Sequence, residues 1–408
     1  MQPSQTPNQA DEPLTLGDAV DLALKLHQAG DLAGAERIYR GVLDIEPDIP
    51  VALHFLGVLR HQQGANEEAL ALIDRSLALS PNESGWHNNR GNALLKLGRE
   101  EEAIAAWRRS IALSPHRADG YPSLERYFEE RGRIPELVHL HAEFVVASPE
   151  GRPHGVVARS YARLGRMEEA AAAYRRWLDE EPDNPVARHM ALTASGETPE
   201  RCADDYVATA FDKYADRFDE HIHELDYRGP GLVAEEVARA AGAARGALDV
   251  LDAGCGTGLC GPLVKPWAKR LDGVDLSSKM LARAADLGVY DDLACDELTR
   301  CLAARPGAYD LIISGDTLCY FGALEPAFAA ARAALRPGGL FVFTLESDEA
   351  QAGGYRLALS GRYAHRAEYV AQAAEAAGFE IRTLRAAHLR NEGGVSLPGY
   401  VVTLARAG

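Results

Sequence analysis

The chain reads as two parts of different class, an all-α solenoid of helical hairpins followed by an α/β domain built on a mostly parallel sheet. Three observations predict this. Glycines recur at 30, 64, 98, 132 and 165 and prolines at 47, 81, 115, 149 and 182, with steps of 34, 34, 34 and 33 in both series. An apolar run over residues 248–251 opens onto Asp252-Ala-Gly254-Cys255-Gly256-Thr-Gly258. Further apolar, strand-like segments then alternate with helical ones, the signature of a parallel sheet with crossover helices.

The period of the first half assigns a job to each recurring residue. Glycine sits in the turn between two helices, and proline closes the unit because it cannot continue a helix. Small residues five positions past the glycine, Ala35, Ala69, Ala103 and Ala170, let the helices approach; the fourth copy departs with Leu137 and carries Pro122 and Pro135. Tyr39, Ile73, Trp107 and Tyr174, nine past each glycine, are expected in the packing seam. This pattern resembles tetratricopeptide repeats (TPRs), antiparallel helix pairs that stack into a superhelix. About five copies over residues 14–195 exceed the roughly three needed for a continuous seam. Polar residues on the first helices, His54, His87, Asn88, Asn89 and Arg90, are candidates for a concave groove that takes a protein or carrier partner, against the plainer reading of a solvated face.

In the second half, glycines after a buried strand let a ligand approach the backbone. The Gly-x-Gly-x-Gly spacing differs from the Gly-x-Gly-x-x-Gly of dinucleotide-binding enzymes, so NAD is not expected. A second short strand ends at Asp275, 17 residues after Gly258, where a carboxylate accepts hydrogen bonds from ribose hydroxyls. Ser277 caps the helix that follows. A weak third strand leads to Asp296 and Glu297, a fourth strand ends at Ser314-Gly315-Asp316, and Leu335-Arg-Pro337-Gly338-Gly339 turns into a fifth.

Taken in order, these motifs resemble the Rossmann-like class I methyltransferases that use S-adenosylmethionine and release S-adenosylhomocysteine. The resemblance implies a seven-stranded, mostly parallel sheet over residues 246–408. It implies that Asp252, Gly254, Cys255, Gly256 and Gly258 form the turn against the cofactor, and that Asp275, Leu276 and Met280 flank the ribose and adenine. Asp296, with Glu297 beside it, falls where the adenine amino group is held, and Ser314, Gly315 and Asp316 fall where the methyl group faces the pocket.

Phe211-Asp-x-x-Ala-x-x-Phe218-Asp-x-His221, with Gly361-Arg362-Tyr-Ala-His365 and Leu389-Arg390-Asn-Glu392-Gly393, resembles bacterial TPR-containing methyltransferases of a trans-aconitate-methyltransferase-like subgroup. That analogy fixes no substrate. In related enzymes the equivalent helix folds over the cofactor as a lid, which implies contacts from Tyr206, Tyr214 and Phe218. Residues 196–245 are accordingly linker and lid helices, and residues 1–13 a disordered tail.

Composition bounds the partners. A net charge of −17 argues against nucleic acid, whose binding rests on cationic contacts to phosphates. No apolar run approaches the roughly 20 residues of a membrane span. The N-terminus lacks a basic start and an apolar core, so no secretory signal is expected. Six cysteines, Cys202, Cys255, Cys260, Cys295, Cys301 and Cys319, form no Cys-x-x-Cys pair and read as reduced thiols of a cytoplasmic protein, with no metal site. Residues 348–408 carry seven Arg against six Asp and Glu in an otherwise acidic chain, with Arg356, Arg362, Arg382, Arg385 and Arg390 standing out.

Methyl transfer is an in-line displacement that depends mainly on positioning. For an anionic acceptor, Arg362 or Arg390 is expected to orient a carboxylate. For a hydroxyl or amine a base is required, with His365 first, then His221, Glu346 and Tyr320. Three functions stand side by side: transfer to an anionic small molecule or acidic group, transfer to a protein or carrier-bound substrate recruited by the repeats, and a non-catalytic scaffold that binds S-adenosylmethionine. Oligomeric state is not legible.

Overall fold

In the computed structural model, residues 15–116, 120–219, 222, 225–351 and 353–408 are described. The expected tail at 1–13 and the candidate His221 lie outside them. The chain forms two compact units, Met1–Glu150 and Gly151–Gly408. The division falls inside the stretch that the glycine period marks as repeats.

The first unit is a run of helix pairs: α1 (Leu16–Gln28) with α2 (Leu32–Ile45), α3 (Pro50–Gln62) with α4 (Asn66–Leu79), α5 (Ser84–Lys96) with α6 (Glu100–Leu113), and α7 (Gly120–Glu130) with α8 (Ile134–Ala147). Each pair turns at a glycine of the periodic series held at positive φ, from +63° at Gly132 to +87° at Gly30. Ala35, Ala69 and Ala103 are fully buried where the helices meet, and so are Tyr39, Ile73 and Trp107. At Gly91 the packing forbids a side chain, because a Cβ there would stand 2.5 Å from the Trp107 indole nitrogen.

The second unit opens with three helices, α9 (His154–Arg163), α10 (Met167–Glu180) and α11 (Pro185–Ser195), packed around Ala158, Tyr174 and Met190. Next come α12 (Asp204–Tyr214) and α13 (Gly229–Ala241). The α/β part then alternates β1 (Leu248–Ala253), α14 (Gly261–Val264), β2 (Ala268–Asp275), α15 (Ser278–Asp286), β3 (Asp292–Cys295), α16 (Leu298–Ala303), β4 (Tyr309–Ser314), α17 (Glu325–Ala334) and β5 (Leu335–Ser347). It ends with β6 (Tyr355–Leu357), β7 (Tyr363–His365), α18 (Ala367–Ala376), β8 (Phe379–Glu392) and β9 (Val395–Arg406).

Strands β3-β2-β1-β4-β5 are parallel neighbours, and the antiparallel pair β9-β8 extends the sheet from β5. These are the expected seven. Two more form an added hairpin, β6-β7, whose register pairs Ala364 with Glu346 of β5. Glu346 also pairs with Gly399 of β9, so the hairpin lies on the β4 edge of β5, beyond the last β4 partner at Ser314. The loop that enters this hairpin's second strand is thereby brought to the carboxyl ends of the parallel strands, where open α/β sheets bind ligands. The weak third strand does form, as a four-residue edge strand on β2.

Truncation of the Trp107 side chain removes the largest fully buried group of the first unit. W107A is expected to destabilise the repeats by about 3–5 kcal/mol, measured by denaturant titration followed by far-UV circular dichroism; a loss below about 1 kcal/mol would contradict the assigned packing.

Candidate functional site

The turn after β1 is shaped by close contacts. Gly254 adopts φ +80°, and a Cβ on it would stand 2.2 Å from the Thr317 hydroxyl, so no side chain fits. Thr317 donates in return to the Gly254 carbonyl at 3.1 Å, tying the end of β4 to the turn. Gly256, at φ +55°, has open space where a Cβ would stand. One carboxylate holds both loops of this region: Asp275 Oδ2 accepts the Gly256 N–H at 2.9 Å and Oδ1 accepts the Ser277 N–H at 2.8 Å. Burial pushes the Asp275 pKa up, and these amides oppose the shift.

Helix α12 and the turn after it lie across the same loops. Ser277 donates its hydroxyl to Asp212 at 2.6 Å and caps α15 by accepting the Met280 N–H at 3.1 Å. Thr257 donates to Asp219 at 2.7 Å. Phe211 meets Phe218 and Tyr320 edge to face, with ring centroids 6.1 and 5.6 Å apart. Phe211, Tyr214 and Phe218 all line a cavity.

That cavity, of about 680 Å³, runs through the second unit. Of the candidate residues it is lined by Tyr206, Tyr214, Phe218, Gly254, Cys255, Gly256, Asp275, Leu276, Asp296, Glu297, Gly315, Asp316, Tyr320, Arg362 and Arg390. Its size lies in the range of small-molecule sites. Four candidates support it from behind. Asp252 is buried and accepts the Tyr290 hydroxyl at 2.7 Å, with burial raising its pKa to about 7. Ser314 is buried and donates to the Ala253 carbonyl at 2.8 Å. Met280 is in the core, and Gly258 packs against Leu287 and Tyr290.

The first-ranked base is not at the cavity. His365 is fully buried on β7, donates from Nε2 to the Gly322 carbonyl at 3.1 Å and stacks on Tyr369. Burial lowers its pKa to about 4, so it is neutral at neutral pH. The Gly-Arg-Tyr-Ala-His phrase gave no sign that β7 pairs with β5 and so turns this ring inward.

The arginines depart from expectation in another way. Arg390, 3% exposed, binds Asp316 at 2.5 Å, Glu392 at 3.0 Å and also Glu346. Arg362 binds Glu346 at 2.5 Å and also Glu392. Burial works against both guanidinium charges, but the surrounding carboxylates prevail and raise both pKa values. Two cations thus meet three carboxylates, so the charge of each arginine is already compensated inside the cluster. Glu346 is equally committed and does not reach the cavity wall. Asp316, Cys319 and Glu346 bring donor atoms within 4.8 Å of one another, but the Arg390 guanidinium already bridges the two carboxylates, and burial keeps the Cys319 thiol protonated.

Asp316 is the exception within the cluster. It stands in the left-handed region at φ +57°, held there by its own N–H donating to the Thr344 hydroxyl at 2.9 Å. Its Oδ2 is taken by Arg390, while Oδ1 is buried with no hydrogen-bond partner. Tyr227, which the sequence reading missed, lines the same region; burial and the nearby Asp316 charge push its phenol pKa well up.

Residues 222–384 match the family model described as "Methyltransferase domain". Residues 26–90, 85–117 and 154–185 match tetratricopeptide repeat models, the last of these within the second unit. The chain is 29% identical over 145 residues to human methyltransferase-like protein 27, covering 34% of this chain and 57% of that one. It is 31% identical over 125 residues to the ubiquinone biosynthesis O-methyltransferase of Chromobacterium violaceum, covering 30% and 51%. The chain thus spans little more than half the length of these curated relatives. A solved S-adenosylmethionine-dependent methyltransferase from Mesorhizobium loti aligns at 23% identity and a TM-score of 0.35, covering 43% of this chain and 98% of that one. The chain carries tetratricopeptide repeats and a methyltransferase domain.

A buried neutral histidine has a sign that can be checked. Because the folded pKa of His365 lies near 4 and the unfolded value near 6.5, the unfolded state binds the extra proton between these values. Stability therefore falls as pH drops through that window. Wild type minus H365Q is expected to show a stability component of about 3 kcal/mol lost between pH 6.5 and 4, by denaturant titration. The subtraction removes Asp252, whose raised pKa acts in the opposite sense. Parallel pH profiles for the two proteins would contradict it.

Proposed function

We propose that the second unit transfers a methyl group from S-adenosylmethionine to a small molecule seated beside Asp316. The observation that carries this is a single cavity lined by the Gly254–Gly256 turn, Asp275 and Asp296 together with Asp316 at the carboxyl end of β4.

The residues present suit the cofactor. Open space at Gly256 leaves room for its amino acid and ribose portions against the backbone. The Asp275 carboxylate accepts backbone N–H groups on both oxygens and, with about four lone-pair sites, keeps acceptor capacity for a ribose hydroxyl. Leu276 and Leu298 offer apolar surface to the adenine, and Asp296 an acceptor for its amino group. Tyr214 and Phe218 offer aromatic faces to a sulfonium cation. The bound cofactor supplies an electrophilic methyl group.

The chain's own work is to place the acceptor and manage its proton. The unpartnered Oδ1 of Asp316 accepts a hydrogen bond from the acceptor's hydroxyl or amine, orients its lone pair and takes the proton as the bond to carbon forms. Arg390 holds the other oxygen and fixes the carboxylate plane. Asp212 and Asp219 keep α12 and its following turn over the loops, which excludes water. The repeats of the first unit serve as a docking module for a partner, supported by the family match at 26–117. A reducing compartment such as the cytoplasm suits six unpaired cysteines.

Pure protein incubated with methyl-labelled S-adenosylmethionine and a fractionated cell extract is expected to label the small-molecule fraction. D316N is expected to lower kcat by about 100-fold with the KM for S-adenosylmethionine little changed. Label confined to macromolecules would refute the small acceptor, no label in any fraction would refute catalysis, and full turnover in D316N would refute the role of Asp316.

A further inference from the structure

The cavity extends beyond the cofactor loops. It reaches α9, where Arg159, Ala162 and Arg163 line it, and passes Val186, Met190, Val207 and Leu359. The last helical repeat is therefore part of the wall of the site.

The charges around this wall are uneven in a way that selects a ligand. Arg362 and Arg390 are charge-compensated by Asp316, Glu346 and Glu392. Arg201 pairs with Asp204 at 2.9 Å and Glu297 at 3.3 Å, and Asp296 with Arg300 at 2.5 Å. Arg159 and Arg163 are the lining cations that make no ion pair among the described residues. They are exposed, four positions apart on one helix, and so stand on the same face one turn apart. Both line the same cavity wall, on either side of Ala162. Two like charges at this spacing repel, and an anion between them turns the repulsion into two charge-assisted contacts.

We infer that Arg159 and Arg163 bind an anionic group, carboxylate or phosphate, on the distal end of the methyl acceptor, and that the acceptor carries an apolar body along Val186, Met190, Val207 and Leu359. This rests on the methyl-transfer reading for the identity of the ligand as acceptor, but the anion site itself does not depend on it. The anionic end is held by the repeat helix, and the neutral hydroxyl or amine end by Asp316. A carboxylate at the Asp316 end would instead meet a cluster that already holds one more carboxylate than guanidinium.

The test uses the full chain and three probes of equal length, octanoate, octyl phosphate and 1-octanol, titrated calorimetrically with and without saturating S-adenosylhomocysteine. Octanoate or octyl phosphate is expected to bind at least about tenfold more tightly than octanol, and the better of the two identifies the anion. R159Q/R163Q is expected to lose that preference, R159K/R163K to retain part of it, and both variants to bind S-adenosylhomocysteine like the wild type. Equal affinity for all three probes, or an anion preference that survives R159Q/R163Q, overturns the proposal. Failure of S-adenosylhomocysteine to bind, with the anion preference intact, overturns the cofactor reading and leaves the anion site standing.

Discussion

The second unit depends on the carboxylate of Asp275. Its two oxygens join the glycine turn after β1 to the start of the segment after β2. Through Ser277 the same anchor reaches Asp212 on α12, so the strand ends, the turn and the overlying helix share one hydrogen-bonded chain. A carboxylate in partly buried surroundings is costly unless polar groups meet it, and backbone N–H groups meet it here without a counter-cation. The site is consequently pre-formed around an anion that has acceptor capacity left. A pre-formed acceptor of this kind suits paired hydroxyls, because no residue has to reorganise when they arrive.

A second constraint divides the cavity by charge. At the β4 end two guanidiniums meet three carboxylates, which disfavours an anionic group there; a buried cluster of this kind resists a further unpaired negative charge. At the α9 end two guanidiniums are left open. The added β6-β7 hairpin contributes to both effects, since it brings Arg362 to Glu346 and sets Leu359 and Ser360 along the cavity wall. His365, buried on that hairpin, ties it to the Gly322 carbonyl alongside the β5–β7 pairing. A residue that resembles a catalytic base in sequence thus acts as a structural pin.

Much of this was legible in the sequence because local chemistry dictated it. The periodic glycines had to be turns, since their positive φ strains most other residues, and Trp107 and its counterparts had to fill the seam that small residues opened. The glycine turn and Asp275 were legible from motif spacing, and the end of β4 from the resemblance to class I methyltransferases. Long-range pairing was not legible. Nothing near Arg390 announces Asp316, 74 positions earlier, and nothing near His365 announces Gly322. The same holds for Tyr227 and for Arg159 and Arg163, whose roles arise only when the α9 segment and the sheet share one cavity. Arginine in an acidic chain was read as available, whereas three-dimensional neighbours decide whether it is.

The most direct measurement is calorimetric titration of S-adenosylhomocysteine into the intact chain and into D275A, with a nicotinamide nucleotide as the control. One site is expected in the wild type, with affinity weaker by about tenfold to 100-fold in D275A, as for losing a charge-assisted hydrogen bond of about 1.5–3 kcal/mol, and no heat from the nicotinamide compound. An absence of binding in the wild type, or unchanged affinity in D275A, would contradict this expectation.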